Sequence, residues 1–326
     1  MHSEAGPLAL GIDLGGTKTE AVLLDHAGQV MWRQRTATPA GDYAATVRTL
    51  AALVQAARQQ ADGAVTVGIG TPGTRTASGL MKNCNSTCIN GRPLQADVET
   101  AIAQPVLLAN DANCLALSEA TDGAAAGAAV VLAVILGTGT GAGIAVHGRV
   151  LTGPNGLAGE WGHNPLPWGE LGEDPRFDCY CGQQACVETL VSGPGLARDH
   201  AQRHGGQLDA AAIAALATTG DIDARATLQR HARRLARALA AVINLLDPDV
   251  IVLGGGLSRM GHLYTEVPAS WQRWVFSAGS GAAVQTRLVP ALHGDASGVR
   301  GAAWLWQQSQ QTLRAWPGSA SRAARP

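Results

Sequence analysis

The sequence contains few charged residues, and the charges that it has are nearly balanced. Charged side chains make up 15% of its 326 residues, with 24 basic residues against 25 acidic ones, whereas about 25% is usual for soluble domains. This composition excludes a disordered or charged-tail protein. The lack of a basic excess also gives no indication of a nucleic-acid partner.

Long apolar runs are absent as well. No stretch of 18 or more apolar residues occurs, so no membrane-spanning helix is expected. Residues 1–7 have neither the basic start nor the apolar stretch of a secretory signal. We therefore expect a cytoplasmic protein that binds no membrane, and we predict that residues 1–7 form a disordered tail.

Cysteine is too scarce for a disulfide scaffold, because only six occur in a chain of this length. Three of them crowd together at Cys179, Cys181 and Cys186. With His163 they supply one nitrogen and three thiolates, the ligand set of a closed structural zinc site. Buried thiols without a metal are the alternative. The other three cysteines have apolar neighbours and are predicted to be small core residues: Cys84, Cys88 and Cys114.

Glycine, by contrast, is abundant, with 41 residues, and it marks a repeated pattern. A strand from residue 8, the glycine- and threonine-rich loop 13–19 and a second strand predict a hairpin. The same order returns about 120 residues later around the loop 137–143. We therefore predict two related α/β domains facing a shared cleft, in line with the length of the chain.

Two later segments complete the outline. Apolar residues at helical spacing predict a long helix over residues 223–246, ended by Asp247 and Pro248. A buried strand at residues 250–253 follows and ends in three glycines.

The domain boundaries follow from this outline. We predict a small first domain from residues 8–112 plus about 297–326, and a larger second domain from residues 113–296. The last twenty residues are polar, and we predict a frayed end there.

Either glycine loop could hold phosphate oxygens, because glycine lets backbone N–H groups approach a ligand closely. A tight hairpin that needs positive φ is the alternative, but a duplicated pair with a third glycine-rich strand end favours a nucleotide site. Lys18, one of only two lysines with Lys82, lies inside the first loop. A compact charge there could reach a phosphate, although codon usage explains the scarcity of lysine equally well.

Asp111 follows a predicted strand and begins a predicted helix. Carboxylates at such strand ends project into α/β clefts, where they can deprotonate a bound hydroxyl group. An N-cap role for Asp111 is the alternative, and its position alone favours neither.

These motifs resemble those of the ROK family of sugar kinases and repressors, from about residue 8 to residue 306. The resemblance implies two actin-like (ribonuclease H-like) domains of the hexokinase, Hsp70 and actin class around a central cleft, with a structural zinc loop. Its most specific part is residues 160–163 with residues 179–188, which are similar to the family's sugar and zinc signature. One departure is Ala185, where the family usually has glycine.

The resemblance also assigns the site residues. Asp111 is the implied general base. The implied sugar-binding residues are Gly73, Asn85, Asn110, Asp111, Glu160, His163 and Glu188. The implied residues for ATP, with Mg2+ near Asp13, are Asp13, Gly15, Gly16, Thr17, Lys18, Gly137, Thr138, Gly139, Gly254, Gly255 and Gly256. The implied zinc ligands are His163, Cys179, Cys181 and Cys186.

Within the family, residues 83–87, 110–114 and 163–168 look most like the bacterial fructokinase branch, also called mannofructokinase. This implies an ATP-dependent kinase that converts fructose to fructose 6-phosphate and also accepts mannose. N-acetylglucosamine kinases share residues 110–114 but are less similar at 164–168, and they or glucokinases are the alternative. We expect a homodimer, since dimers are usual among similar proteins, and closure of the cleft on the sugar.

Two non-enzymatic functions are disfavoured. A sugar-sensing repressor needs a DNA-binding helix-turn-helix ahead of the first loop, and only about seven residues precede the first strand. A catalytically silent sugar-binding protein is opposed by the intact Asp13, Asp111 and glycine loops.

Overall fold

The structure is a computed structural model that describes residues 7–170, 172–277 and 280–315. All but Pro7 of the predicted disordered tail lies outside these residues. The predicted frayed end is wrong in part, because a helix continues to Ala315; the rest of that prediction lies outside the described residues.

The secondary structure alternates strands and helices. The strands are β1 Leu8–Leu14, β2 Lys18–Leu24, β3 Val30–Ala37, β4 Val65–Thr71, β5 Thr74–Arg75, β6 Met81–Lys82, β7 Val106–Asn110, β8 Val130–Leu136, β9 Thr140–Val146, β10 Arg149–Val150, β11 Val250–Gly254 and β12 Arg287–Pro290. The α-helices are α1 Tyr43–Arg58, α2 Leu94–Ile102, α3 Asp111–Thr121, α4 Val187–Val191, α5 Gly193–His204, α6 Ala210–Thr218, α7 Ile222–Leu246, α8 Leu263–Trp271 and α9 Ser297–Ala315.

The described chain divides into two compact units. The first contains the residues up to Asp122, residues 154–156 and the chain from Ala296 onward; the second contains residues 123–153 and 157–295. The sequence placed the boundary after residue 112. It lies ten residues later because α3 packs against α9 within the first unit.

The first unit is built on a five-stranded mixed sheet in the order β3-β2-β1-β4-β7. Strands β1, β2 and β3 are antiparallel, whereas β1, β4 and β7 run parallel. Apolar residues of α1 and α2 join those of the sheet in one buried cluster. Helix α9 packs against β1 and β4, where a Cβ on Gly11 or Gly68 would collide with its backbone carbonyls.

The second unit repeats this topology. Its sheet has the order β10-β9-β8-β11-β12, with β8, β9 and β10 antiparallel and β8, β11 and β12 parallel. Its core joins this sheet to α7 and α8. The two sheets thus share one strand order, as the duplicated glycine-loop pattern predicted.

Helix α7 agrees closely with its sequence pattern. Asp221 caps its N-terminus by accepting a hydrogen bond from the Ala224 N–H. Asp247 ends it in the left-handed conformation, with φ of 47°, and Pro248 cannot continue it.

Candidate functional site

The first glycine loop is residues 15–17, shorter than the predicted 13–19, because β1 continues to Leu14 and β2 begins at Lys18. The N–H of Gly15 donates to the carbonyl oxygen of Lys18 over 3.1 Å and closes the turn around Gly16 and Thr17. Thr38 holds this loop from outside: its hydroxyl donates to the Gly15 carbonyl over 2.8 Å, and its N–H donates to the Thr17 carbonyl over 3.0 Å. Thr38 was not among the predicted residues, because its contact depends on the pairing of β3 beside β2.

Asp13 lies on β1 just before this loop, close to the negative charges of other carboxylates. Burial, together with the negative charges of Asp111 and Glu20, raises the pKa of its carboxyl group to about 6, against the opposing charge of Lys18. Asp13 and Asp111, far apart in sequence, therefore interact electrostatically within the first unit. Such repulsion between carboxylates favours a bound cation.

Two glycines leave space around the Asp13 carboxylate. A Cβ on Gly70 would lie 3.7 Å from its Oδ1, and a Cβ on Gly298 would lie 3.5 Å from its Oδ2. Because Gly70 and Gly298 have no side chains, there is room beside the Asp13 oxygens. Mg2+ prefers oxygen ligands, so this part of the first unit fits Mg2+. Neither glycine was predicted, since one belongs to β4 and the other to α9.

Asp111 is not the N-cap of α3. The cap is Asn110, whose Oδ1 accepts a hydrogen bond from the Asn113 N–H over 2.8 Å. The carboxylate of Asp111 accepts from the N–H of Ala112 over 2.8 Å, and the residue is exposed. The alternative that Asp111 serves as a helix cap is therefore wrong, and its carboxylate is placed at the end of β7.

The loop that carries Asn85 is braced by a neighbouring amide. Asn90 accepts a hydrogen bond from the Cys84 N–H over 2.9 Å and donates one to the Cys84 carbonyl over 3.0 Å, while Asn85 is exposed. Gly73 has φ of 79°, and a Cβ there would collide with the carbonyl of Lys82. This glycine is thus required by the hairpin of β5 and β6.

The second unit contains a cavity of about 1190 Å³. Its walls include Gly137 and Thr138 of the second glycine loop and Gly256, which follows β11. Two segments predicted to bind nucleotide therefore meet at one cavity. The remaining walls come from α5, α6, α7, α8 and the residues that flank them, among them Arg225 of α7 and His262, which precedes α8; neither residue was predicted.

The other predicted nucleotide-binding glycines have structural contacts. Gly254 is the last residue of β11 and is buried. Gly255 has φ of 80°, and a Cβ there would collide with the Leu136 carbonyl. Gly139 lies beside Glu188, where a Cβ would be 2.7 Å from the carboxylate.

The four predicted metal ligands converge. The ligand atoms of His163, Cys179, Cys181 and Cys186 all lie within 4.8 Å of one another. His163 Nδ1 is 3.5 Å from Cys179 Sγ, and the thiols of Cys181 and Cys186 are 3.6 Å apart. Ligands around a tetrahedral zinc ion are spaced by about 3.5–3.8 Å, so this donor set fits zinc. Two of the remaining cysteines are buried and one is partly buried, as predicted: Cys84, Cys114 and Cys88.

The predicted sugar-binding side chains of the second unit flank this cluster. Glu160 precedes the short turn Trp161–His163. Glu188 lies in the first turn of α4, two residues after Cys186. Both carboxylates act electrostatically on Tyr180, which lies between two of the cysteines.

A buried arginine network, which the sequence analysis did not predict, anchors the segment between His163 and Cys179. Arg237 donates to the Trp168 carbonyl over 2.7 Å and to Asp174 over 2.8 Å. Arg234 donates to Asp174 from its Nε over 3.0 Å. Both arginines belong to α7, so the long helix fixes this segment.

Comparison with solved structures identifies the fold class of this chain. A ROK hexokinase from Thermus thermophilus is 30% identical, with a TM-score of 0.82 over 93% of this chain and 99% of that chain. A ROK family glucokinase from Streptomyces griseus, in complex with glucose and AMPPNP, is 29% identical, with a TM-score of 0.72 over 91% of this chain and 98% of that chain. The fold is therefore the α/β fold of ROK hexokinases, with mixed sheets.

The chain belongs to the ROK family, whose sequence pattern matches residues 9–309. An N-acetyl-D-glucosamine kinase of Photobacterium profundum is 40% identical over 300 residues, 90% of this chain and 98% of the relative. The N-acetyl-D-glucosamine kinase of Vibrio cholerae serotype O1 is 39% identical over the same shares. The predicted family is thus confirmed. Within the described residues, no helix combines the length and the apolarity that crossing a membrane requires.

Proposed function

We propose that this protein is an ATP-dependent sugar kinase that prefers N-acetylglucosamine. The observation that carries the kinase proposal is the carboxylate of Asp111, which α3 does not use as its cap and which interacts with the partly buried Asp13. The preference for the sugar is supported by relatives about 40% identical over 90% of the chain. The sequence motifs indicated fructose as the preferred sugar, with mannose also accepted. The relatives instead favour N-acetylglucosamine, which was the alternative.

In the first unit, Asp111 would act as general base. A carboxylate at hydrogen-bond distance from a sugar hydroxyl can take its proton as the oxygen attacks the terminal phosphate of ATP. Asn110 and Asn85 would bind neighbouring hydroxyls, with Gly73 shaping the loop. Asn110 would offer its amide nitrogen, since its oxygen caps α3.

Asp13 would hold Mg2+ in the first unit. When bound, the ion would neutralise negative charge on the phosphate groups. Gly15, Gly16, Thr17 and Lys18 would donate backbone and ammonium hydrogen bonds to phosphate oxygens.

In the second unit, the cavity of about 1190 Å³ would take the nucleotide. Gly137 and Thr138 would contact phosphate, with Gly139 setting the loop beside them, and the segment Gly254, Gly255 and Gly256 would face the adenosine. Glu160, His163 and Glu188 would bind sugar hydroxyls, and a site with such paired polar groups rejects analogues that leave them unpaired.

We also propose that His163, Cys179, Cys181 and Cys186 hold a structural zinc ion. The support is the convergence of one nitrogen and three thiols within 4.8 Å of one another, with two pairs of ligand atoms, 3.5 and 3.6 Å apart, at the spacing of tetrahedral coordination. Since each sheet has the same strand order, we further propose that each unit is actin-like. A homodimer and a cytoplasmic location remain predictions.

The function is tested with purified protein, ATP and Mg2+ against a panel of N-acetylglucosamine, fructose, mannose and glucose, with ADP release as the readout. N-acetylglucosamine is expected to give the highest kcat/KM. A higher value for fructose would restore the order that the motifs implied, and no release with any hexose would contradict a sugar kinase.

The zinc proposal has its own test. About one zinc per chain is expected by elemental analysis after metal-free purification. Cys181→Ser is expected to lower the zinc content and to raise the KM for sugar more than the KM for ATP. The reason is that His163 belongs to the cluster and Glu188 lies two residues after Cys186. Cys88→Ser, at a partly buried cysteine of the first unit, is the control. Purified protein without zinc would contradict the proposal.

A further inference from the structure

Tyr180 makes a specific hydrogen bond although its side chain is 81% exposed. Its hydroxyl lies 3.0 Å from Nε2 of His163. The two rings meet edge to face, with centroids 5.1 Å apart and an interplanar angle of 89°. The side chain is therefore held mainly at its hydroxyl end while most of the ring faces solvent.

The two nitrogens of His163 face different partners. Nδ1 lies 3.5 Å from Cys179 Sγ, on the side of the thiol cluster. Nε2 is then the nitrogen that His163 can offer to a sugar hydroxyl, and the Tyr180 hydroxyl already lies beside it. An imidazole nitrogen makes one strong hydrogen bond, so it cannot hold both hydroxyls equally well.

The surroundings of Tyr180 indicate the same place. The carboxylates of Glu188 and Glu160, the two other proposed sugar-binding side chains of this unit, both act electrostatically on Tyr180.

We propose that the Tyr180 hydroxyl occupies the sugar-binding nitrogen of His163 in the sugar-free protein and that a sugar hydroxyl replaces it there. This inference rests on the proposed function, which assigns His163 to the sugar. Tyr180 is a competitor of the substrate and thereby sets its affinity. The exposed ring has little packing to lose, and water takes over the hydrogen bonds of the displaced phenol.

Tyr180→Phe removes only the competing hydroxyl. An intramolecular hydrogen bond has a net effect equivalent to about 2- to 10-fold in an equilibrium constant. The variant is therefore expected to bind sugar about 2- to 10-fold more tightly than the unaltered protein.

The experiment is calorimetric titration of N-acetylglucosamine into the zinc-loaded protein without nucleotide. The matched control is Tyr43→Phe, which loses a hydroxyl bonded to Asp97 in the first unit and is expected to bind sugar as the unaltered protein does. Zinc content is measured for all three proteins and is expected to be equal.

Unchanged or weaker sugar binding by Tyr180→Phe would overturn the inference, because the hydroxyl would then be neutral or would assist the sugar. Loss of zinc from this variant would also overturn it, since the hydroxyl would then serve to keep His163 on the metal. If the unaltered protein bound no hexose of the panel, the proposed function itself would fall.

Discussion

The carboxylate of Glu188 accepts a hydrogen bond from the backbone N–H of Thr140, with 2.8 Å between Oε2 and N. Thr140 begins β9 directly after Gly139, so that β9 includes the second half of the predicted loop 137–143, and Glu188 lies two residues after the last cysteine of the cluster. Within the second unit, one side chain thus joins the proposed phosphate loop to the proposed sugar and zinc segment.

Glu188→Gln and Glu188→Ala are expected to separate these two contacts. Glutamine keeps an oxygen that can accept from Thr140 but lacks the charge for the sugar hydroxyl, whereas alanine loses both. A hydrogen bond to a charged group contributes about 1.5–3 kcal/mol, so the KM for sugar is expected to rise about 10- to 100-fold in both variants. The KM for ATP is expected to rise only in Glu188→Ala. If the KM for ATP rose as much in Glu188→Gln as in Glu188→Ala, the description of two separate contacts would be contradicted.

The neighbours Asn110 and Asp111 are expected to show opposite effects. Asp111→Asn keeps the size of the side chain but cannot take a proton, so turnover is expected to fall by about 10²- to 10⁴-fold with little change in sugar affinity or stability. Asn110→Ala is expected to lower the free energy of unfolding by about 1 kcal/mol, because the cap of α3 is lost. Turnover, calorimetric sugar binding and urea unfolding are measured for both. Near-normal turnover of Asp111→Asn would exclude Asp111 as the base.

Ala185, the residue that departs from the family pattern, has φ of 58°. The left-handed conformation costs a non-glycine residue about 1–2 kcal/mol, and the greater freedom of glycine in the unfolded chain offsets part of this. Ala185→Gly is therefore expected to raise the free energy of unfolding by about 1 kcal/mol. Ala103→Gly, at φ of 53°, is expected to do the same.

The control for this pair is Ala96→Gly at an exposed position of α2, which is expected to lose about 1 kcal/mol. All three variants are compared by urea unfolding with zinc bound. If Ala185→Gly lost stability as Ala96→Gly does, the turn at residue 185 would not be strained.

Asp13→Asn is expected to stabilise the protein at neutral pH. The pKa of Asp13 rises from 3.8 to about 6 on folding, mainly through burial, so the folded protein binds this proton more tightly than the unfolded chain does. The contribution of Asp13 to the free energy of unfolding therefore falls as the pH rises from about 4 to 6 and stays low above that. The difference is equivalent to at most about 3 kcal/mol.

Urea unfolding without Mg2+ measures this effect at several pH values between 4 and 7.5. The advantage of Asp13→Asn is expected to be greatest at pH 7.5 and to shrink toward pH 4, while kinase activity is lost. Asp62→Asn, at an exposed position, serves as control. A stability difference that did not vary with pH would contradict the assignment to this carboxyl group.

Local sequence patterns predicted much of this structure. The hairpins around the two glycine loops and the helix ended by Asp247 depend on residues close in sequence, and so does the convergence of Cys179, Cys181 and Cys186. The family followed from the same motifs. Since N-cap choice depends on the backbone angles of Asn110, φ of −72° and ψ of 164°, the sequence could not separate that residue from Asp111.

Other features depend on residues far apart in the chain. The space around Asp13 requires Gly70 from β4 and Gly298 from α9, and no local pattern links these three residues. The choice of sugar depends on the placement of a few hydroxyl-binding groups, which short motifs describe only in part. The motifs therefore ranked fructose above N-acetylglucosamine, whereas the two relatives compared above are N-acetyl-D-glucosamine kinases.

The packing of α9 on β1 and β4 has a consequence for biosynthesis. Gly11 and Gly68 are made early, but the helix backbone that covers them begins at Ser297. The face of the first sheet that α9 covers therefore has no helix on Gly11 and Gly68 until the chain has been translated beyond Ser297, by which point residues 157–295 of the second unit have already been made. A chain released before α9 emerges leaves this bare face open to chaperones and to aggregation.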